Sequence, residues 1–153
     1  MKELTSVELA YMAGYFDADG CVTGINSKRE GPVLRLCITS TDLVVLETFQ
    51  KALGGHIALL REAGVTSRGV TSRRIIRQWS AAYRTGTKVA KALLPYLRQK
   101  RHRMGLYLEM RGLKENKTPG APVSEEVRRR RQEILDEIRA LNQGKYSATR
   151  VAT

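Results

Sequence analysis

The chain has 153 residues, 42% of them hydrophobic, and a formal charge of +12 at pH 7. That length suits one domain with a real core, and no apolar run of about 18 residues offers a membrane span. The opening MKELTSVE has neither the apolar centre of a signal peptide nor the Arg/Ser-rich look of a transit peptide, and two cysteines make no disulfide framework. The expected setting is therefore intracellular: bacterial or phage-host cytoplasm, or an organelle matrix. Cys21 and Cys37 are expected as free thiols, filling small strand positions rather than acting as nucleophiles. Between Arg61 and Arg103, twelve Lys/Arg stand against one acid, Glu62. Such self-repulsion points to a polyanion, and nucleic acid is the expected partner. A membrane surface fits less well, because that stretch has no basic amphipathic helix with a bulky apolar face.

Thr5-Ser6-Val7-Glu8 reads as a capping box opening a helix through about Phe16. After Gly20, CVTGIN reads as a strand, SKREGP as a turn and VLRLCIT as a second strand. Its alternation puts Leu34, Leu36 and Ile38 inward, with Val33, Arg35, Cys37 and Thr39 outward. STDLVVLETFQKALGG is a helix capped by Thr41 or Asp42 and ended by Gly54-Gly55. HIALLRE and SRRIIRQWSAA form another strand pair around AGVTSRG. TKVAKALLPYL is a helix stopped near Pro95, and a basic helix runs from about Arg98 to Gly112. KENKTPGAPV is a linker by composition. Ser124 opens a last helix with Val127, Ile134, Leu135, Ile138 and Leu141 on one stripe.

The order predicts an α+β fold of the form αββαββα, with four antiparallel strands and helices on one face. One domain over 1–153 is expected, with a core over 1–115, then a linker and C-terminal helix over 116–153. The free face of the sheet would carry Arg35 and several of Arg61, Arg73, Arg74 and Arg77, a basic surface suited to a DNA groove. Two parities stay open for the last strand: Arg73, Ile75 and Arg77 outward, or Arg74, Ile76 and Gln78.

Met12-Ala13-Gly14-Tyr15-Phe16-Asp17-Ala18-Asp19-Gly20 resembles the LAGLIDADG motif of the LAGLIDADG homing endonucleases. ITSTDLVVLETFQKALGG and LLPYLRQKRHR resemble the family in layout, so the likeness covers roughly 5–145. In the motif, Ala10, Ala13 and Gly14 share one helical face, and small residues let two helix backbones approach closely. Tyr11, Met12, Tyr15 and Phe16 are left for the chain's own core. With one motif per chain, the partner helix is expected from a second copy in a homodimer, whose interface would hold Ala10, Ala13, Gly14 and Asp17. Pairing brings both Asp19 carboxylates to the dyad, where they repel unless divalent cations neutralise them.

The resemblance implies that Asp19 and the Ala18 carbonyl bind Mg²⁺, with Mn²⁺ as substitute, while Asp17 braces the helix end. It also implies a basic active-site role for Lys100. Ser40 stands where the family often has a glutamine that holds the water network, so Ser40 joins Asp19 and Lys100 as a catalytic position whose efficiency is in question. The implied reaction is hydrolysis of one phosphodiester per DNA strand across the minor groove, leaving 3′ overhangs in a long pseudo-palindromic site. Base edges would be read by outward strand residues, Arg35 and Thr39 among them. Phosphates would be met by Lys/Arg, with Lys145 on flanking backbone. Arg128 to Arg131 are expected on a solvated helix, Arg129 pairing with Glu133. The competing reading is a regulator or intron-RNA maturase on the same fold.

Overall fold

The computed structural model describes residues 3–28, 31–62, 64–65, 71–72, 74–113 and 123–144. Helix α1 spans Ser6–Asp19. Its capping box is complete, with the Glu8 N–H donating to Thr5 Oγ1 at 3.2 Å and the Thr5 N–H to Glu8 Oε2 at 2.8 Å. The helix runs past the expected end at Phe16, so Asp17 and Asp19 both lie in its last turn, which holds no basic residue.

Strands β1 (Gly20–Ser27) and β2 (Gly31–Ser40) form a hairpin paired from Gly20 opposite Ile38 to Ser27 opposite Gly31. Helix α2 (Leu43–Leu53) starts on Asp42, whose carboxylate accepts the Val44 N–H at 2.9 Å. It ends at Gly54 and Gly55, both at positive φ, a region L side chains rarely adopt. Strand β3 (His56–Arg61) and a short ribbon, β4 (Gly64–Val65) with β5 (Thr71–Ser72), lead into β6 (Ile76–Ala82). The main sheet is antiparallel in the order β1-β2-β6-β3.

Helix α3 (Tyr83–Leu93) begins earlier than expected, with Tyr83 at φ 50 and Arg111 stacked 5.4 Å over its ring. A 3₁₀ turn, Leu94–Tyr96, separates it from α4 (Arg101–Gly112), and α5 covers Glu125–Asn142. The linker KENKTPG (114–120) and Ala121 and Pro122 lie outside the described residues, as does the turn at Arg29 and Glu30.

All helices contribute to one core on the inner face of the sheet, built on Leu34, Leu36, Ile38 and Trp79. The four antiparallel strands with helices on one face match the expectation. Gly24 is where α5 comes closest, since a Cβ there would collide with Leu135 Cδ1. The outward residues Val33 and Cys37 are nevertheless buried, 8% and 4% exposed: Cys37 sits between Cys21 of β1 and Ser80 of β6, and Val33 lies beside Pro32, Met110 and Arg111.

Candidate nucleic-acid interface and active centre

The C-terminus of α1 presents unsatisfied carbonyls at the negative end of its dipole. Lys100, from the segment between the 3₁₀ turn and α4, answers them. Its ammonium donates to the carbonyls of Phe16 at 3.1 Å, Asp17 at 2.5 Å and Ala18 at 3.3 Å. The Asp17 carboxylate in turn accepts the main-chain N–H groups of Arg98 at 2.7 Å and Lys100 at 2.8 Å. Those bonds hold the segment ahead of α4, which therefore starts at Arg101 rather than Arg98. Burial pushes the Lys100 pKa below the ordinary lysine value and nearby Arg103 adds to the drop, against the pull of Asp17, Cys21 and Asp19.

Asp19 and Ala18 are exposed, and the Asp19 carboxylate has no hydrogen-bond partner among the described residues. Among those residues, no three His, Cys, Asp or Glu side chains gather as a metal site within one chain. Ser40 sits at the end of β2, where its hydroxyl accepts the Asp42 N–H at 3.0 Å and so serves the entry to α2.

The two cysteines, expected only as small strand residues, lie opposite each other at the start of the hairpin. The Cys37 thiol lies 3.6 Å from the Cys21 carbonyl. The Cys21 pKa is lowered to about 6, chiefly by hydrogen bonding from Cys37, with burial opposing and Lys100 and Arg103 assisting. Cys37 is pushed up, by the same hydrogen bond and by burial. Arg103, also missed, donates to the Leu141 carbonyl at 2.8 Å and ties this region to α5. The signal was long-range pairing, which periodicity alone does not carry.

The register settles which strand residues face outward. Thr39 lies opposite Gln78 and Arg35 opposite Ala82, so Ile76, Gln78 and Ser80 share the outer face. Arg35 Nε donates to Thr23 Oγ1 at 3.4 Å, and Gln78 Nε2 to Thr39 Oγ1 at 3.1 Å, both along that face. Arg77 is a correction: it pairs with Ser40 and Leu59 and falls on the inner parity with Trp79, at the end of the sheet. It lines a surface hollow with Thr41, Asp42 and Arg74.

Arg61 reaches the outer face through a bulge: Leu59 pairs with Arg77, but Arg61 pairs with Ile76, leaving Leu60 as the extra residue. Arg73 and Lys145 lie outside the described residues. Among described strand residues, Arg35 and Arg61 are then the only Lys/Arg on the outer face, fewer than expected.

The exposed side of α1 also differs from expectation. Ala10 and Gly14 are exposed, but Ala13 is fully buried in the chain's own core and cannot lie in a contact between copies. Tyr11, expected inside, is 60% exposed, and Val7 is 76% exposed. Val7, Ala10, Tyr11, Gly14 and Ala18 follow helical spacing and make one continuous stripe.

In the basic run, Arg130 rather than Arg129 pairs with Glu133, at 3.1 Å, and with Glu109 of α4 at 2.7 Å. His102 meets Glu137 of α5 at 2.6 Å. The Arg130–Glu109 and His102–Glu137 pairs fasten α4 to α5. No helix among the described residues is long and apolar enough to cross a membrane.

The motif at the end of α1, the hairpin that follows it and the sheet order define a known class. Residues 6–80, just under half of the chain, match the family model of the LAGLIDADG-like domain. The fold is that of the homing endonucleases. It resembles I-CvuI, solved in complex with its target, at 20% identity and a TM-score of 0.57, over 86% of this chain and 94% of that one. It resembles archaeal intron-encoded I-Vdi141I complexed with DNA at 16% identity and a TM-score of 0.62, over 87% and 82%. I-TnaI matches at 14% identity and a TM-score of 0.60, over 90% and 99%. No curated protein matches the sequence.

Proposed function

We propose that the chain is a site-specific double-strand DNA endonuclease that acts as a homodimer in intron homing. The observation that carries this reading is the end of α1, where the Lys100 ammonium caps three carbonyls beside the exposed Asp19 carboxylate, which has no hydrogen-bond partner among the described residues. The match of residues 6–80 to the LAGLIDADG-like family model and the fold support it. The exposed stripe Val7, Ala10, Tyr11, Gly14 and Ala18 is the surface on which two copies would pack. Two-fold packing there brings the Asp19 of each chain to the dyad, one for each strand to be cut.

An exposed carboxylate and a main-chain carbonyl are hard oxygen donors, so Asp19, and the Ala18 carbonyl through the lone pair not used by the Lys100 ammonium, fit Mg²⁺, or Mn²⁺ in its place, with the remaining ligands from a second chain, water and substrate phosphate. When bound, such a cation supplies Lewis acidity and water activation. Asp19 holds the charge centre at the dyad. Lys100, half-buried and fixed by Asp17, presents a fixed positive group to the scissile phosphate as charge builds there. Arg35, Thr39, Gln78 and Arg61 meet a long pseudo-palindromic site from the outer face, and cleavage across the minor groove leaves 3′ overhangs. Ser40 favours a second reading, a weakly cleaving regulator or intron-RNA maturase, because a short hydroxyl that already accepts the Asp42 N–H stands where a longer glutamine would hold water.

The test is cleavage of a genomic or randomised duplex library with Mg²⁺, comparing the wild type with Asp19→Asn. Discrete cuts with 3′ overhangs that vanish in the variant are expected. Sequence-specific binding without cutting, in Mg²⁺ and in Mn²⁺, would move the chain to the second reading.

A further inference from the structure

The basic residues of α3 do not serve the sheet. Arg84, Lys88 and Lys91 are exposed and line, with Arg111 of α4, a groove of about 460 Å³. At about 100° per residue, the three α3 cations lie on the opposite side of the helix from its buried residues Gly86, Val89, Ala90 and Leu93. Those buried residues pack on the inner face, so the groove points away from the sheet and from any duplex held on its outer face. Among the described residues, Arg84, Lys88 and Lys91 have no hydrogen-bond or ion-pair partner. Helix α3 contains no acid, and Glu109, the one acid of α4, is taken by Arg130. Three cations spread over about 10 Å of helix match the pitch of duplex phosphates, one per strand every ~3.4 Å, better than a single small anion.

We propose that this groove is a second DNA-backbone contact, which lets one molecule hold a second duplex segment while the sheet face holds the first. The chemistry favours a duplex backbone over a single strand. Among the described residues no aromatic side chain lines the groove, and the nearby Tyr83, 47% exposed, has the Arg111 guanidinium over one face. The groove therefore offers no row of rings on which successive bases could stack. No base edge is read there; the contact is sequence-independent and salt-sensitive. It serves transfer between DNA segments during a search, and it does not depend on cleavage.

The test uses the full chain at low salt without divalent metal. Protein is loaded on an immobilised random-sequence duplex and challenged with a second, fluorescent duplex. The comparison is Arg84→Gln/Lys88→Gln/Lys91→Gln, three exposed substitutions checked for an unchanged melting temperature. We expect the wild type to capture the second duplex. The triple variant should lose about tenfold or more of that capture, consistent with three lost phosphate contacts, while binding the first duplex within about twofold. If the triple variant proves unstable, Lys88→Gln alone gives the same comparison at smaller amplitude. Equal capture by wild type and variant, or no capture by the wild type, overturns the proposal. So does a parallel loss of first-duplex binding, because groove and sheet would then share one duplex. Displacement of the second duplex by an RNA hairpin but not by unlabelled DNA also overturns it. Because the readout is capture, failure of the endonuclease reading would leave the result interpretable.

Discussion

Asp17 and Lys100 grip each other in both directions: the Asp17 carboxylate accepts the Lys100 main-chain N–H at 2.8 Å, and the Lys100 ammonium donates back to the Asp17 carbonyl at 2.5 Å. The two residues stand 83 positions apart, so the clasp joins the end of α1 to the start of α4. Asp17→Ala removes two hydrogen bonds to a carboxylate and should cost about 1–3 kcal/mol in urea unfolding. With Lys100→Met as the second arm, a double-mutant cycle should show coupling of about 0.5 kcal/mol or more. Additive effects would mean that the two groups act separately.

Cys21 should alkylate early. In protein stripped of divalent metal, iodoacetamide labelling of Cys21 should rise with a midpoint near pH 6. Cys37→Ala removes the hydrogen bond that is the largest cause, so the midpoint should climb toward the usual thiol range. Folding lowers the Cys21 pKa, so its contribution to stability is present above the unfolded-chain value and is lost as pH falls through about 6. Cys37 is shifted the other way, and its contribution is lost as pH rises beyond the ordinary thiol range. A wild-type midpoint that Cys37→Ala leaves in place would remove the hydrogen bond as the cause.

The bulge separates two arginines that look equivalent in the sequence. Arg61→Gln and Arg35→Gln should each flatten the plot of log binding constant against log salt by about 0.9 per protomer. Arg77→Gln, on the inner parity, should leave that slope unchanged. Equal effects of Arg61 and Arg77 would show that the duplex reaches round the end of the sheet.

Gly24 is the floor under α5. Gly24→Ala drives a Cβ into Leu135 and should cost about 1–3 kcal/mol, seen as a lower melting temperature. Gly14→Ala meets nothing within 4 Å in one chain, so monomer stability should not fall. A Gly14→Ala protein with intact fold but weakened self-association in sedimentation would locate the contact between copies on α1.

Much of the architecture could be read from local pattern. Leu34, Leu36 and Ile38 fixed the inner face by alternation, Thr5 and Glu8 fixed the start of α1, and Gly54 fixed the end of α2. What escaped depended on partners distant in sequence. Arg61 reaches its expected outer face only because Leu60 is an extra residue, a cause that only the pairing with Ile76 reveals. Tyr11 and Ala13 exchanged their expected roles because neighbouring positions on α1 differ by about 100°, and the core lies on the side of Met12 and Phe16. The position of Lys100 was legible from the motif resemblance, but its grip on the α1 carbonyls was not, since nothing local signals a side chain capping a helix from the far side of the chain.

Asn142 donates to the Val22 carbonyl at 2.9 Å across 120 positions of sequence, and Leu135 lies against Gly24. The hairpin is therefore made about 120 residues ahead of the helix turn that closes over it. At about 5–20 residues per second, the inner side of β1 waits roughly 6–24 s for the helix that shields it. During that interval the nascent chain displays an apolar strand face, which the final turn of α5 closes.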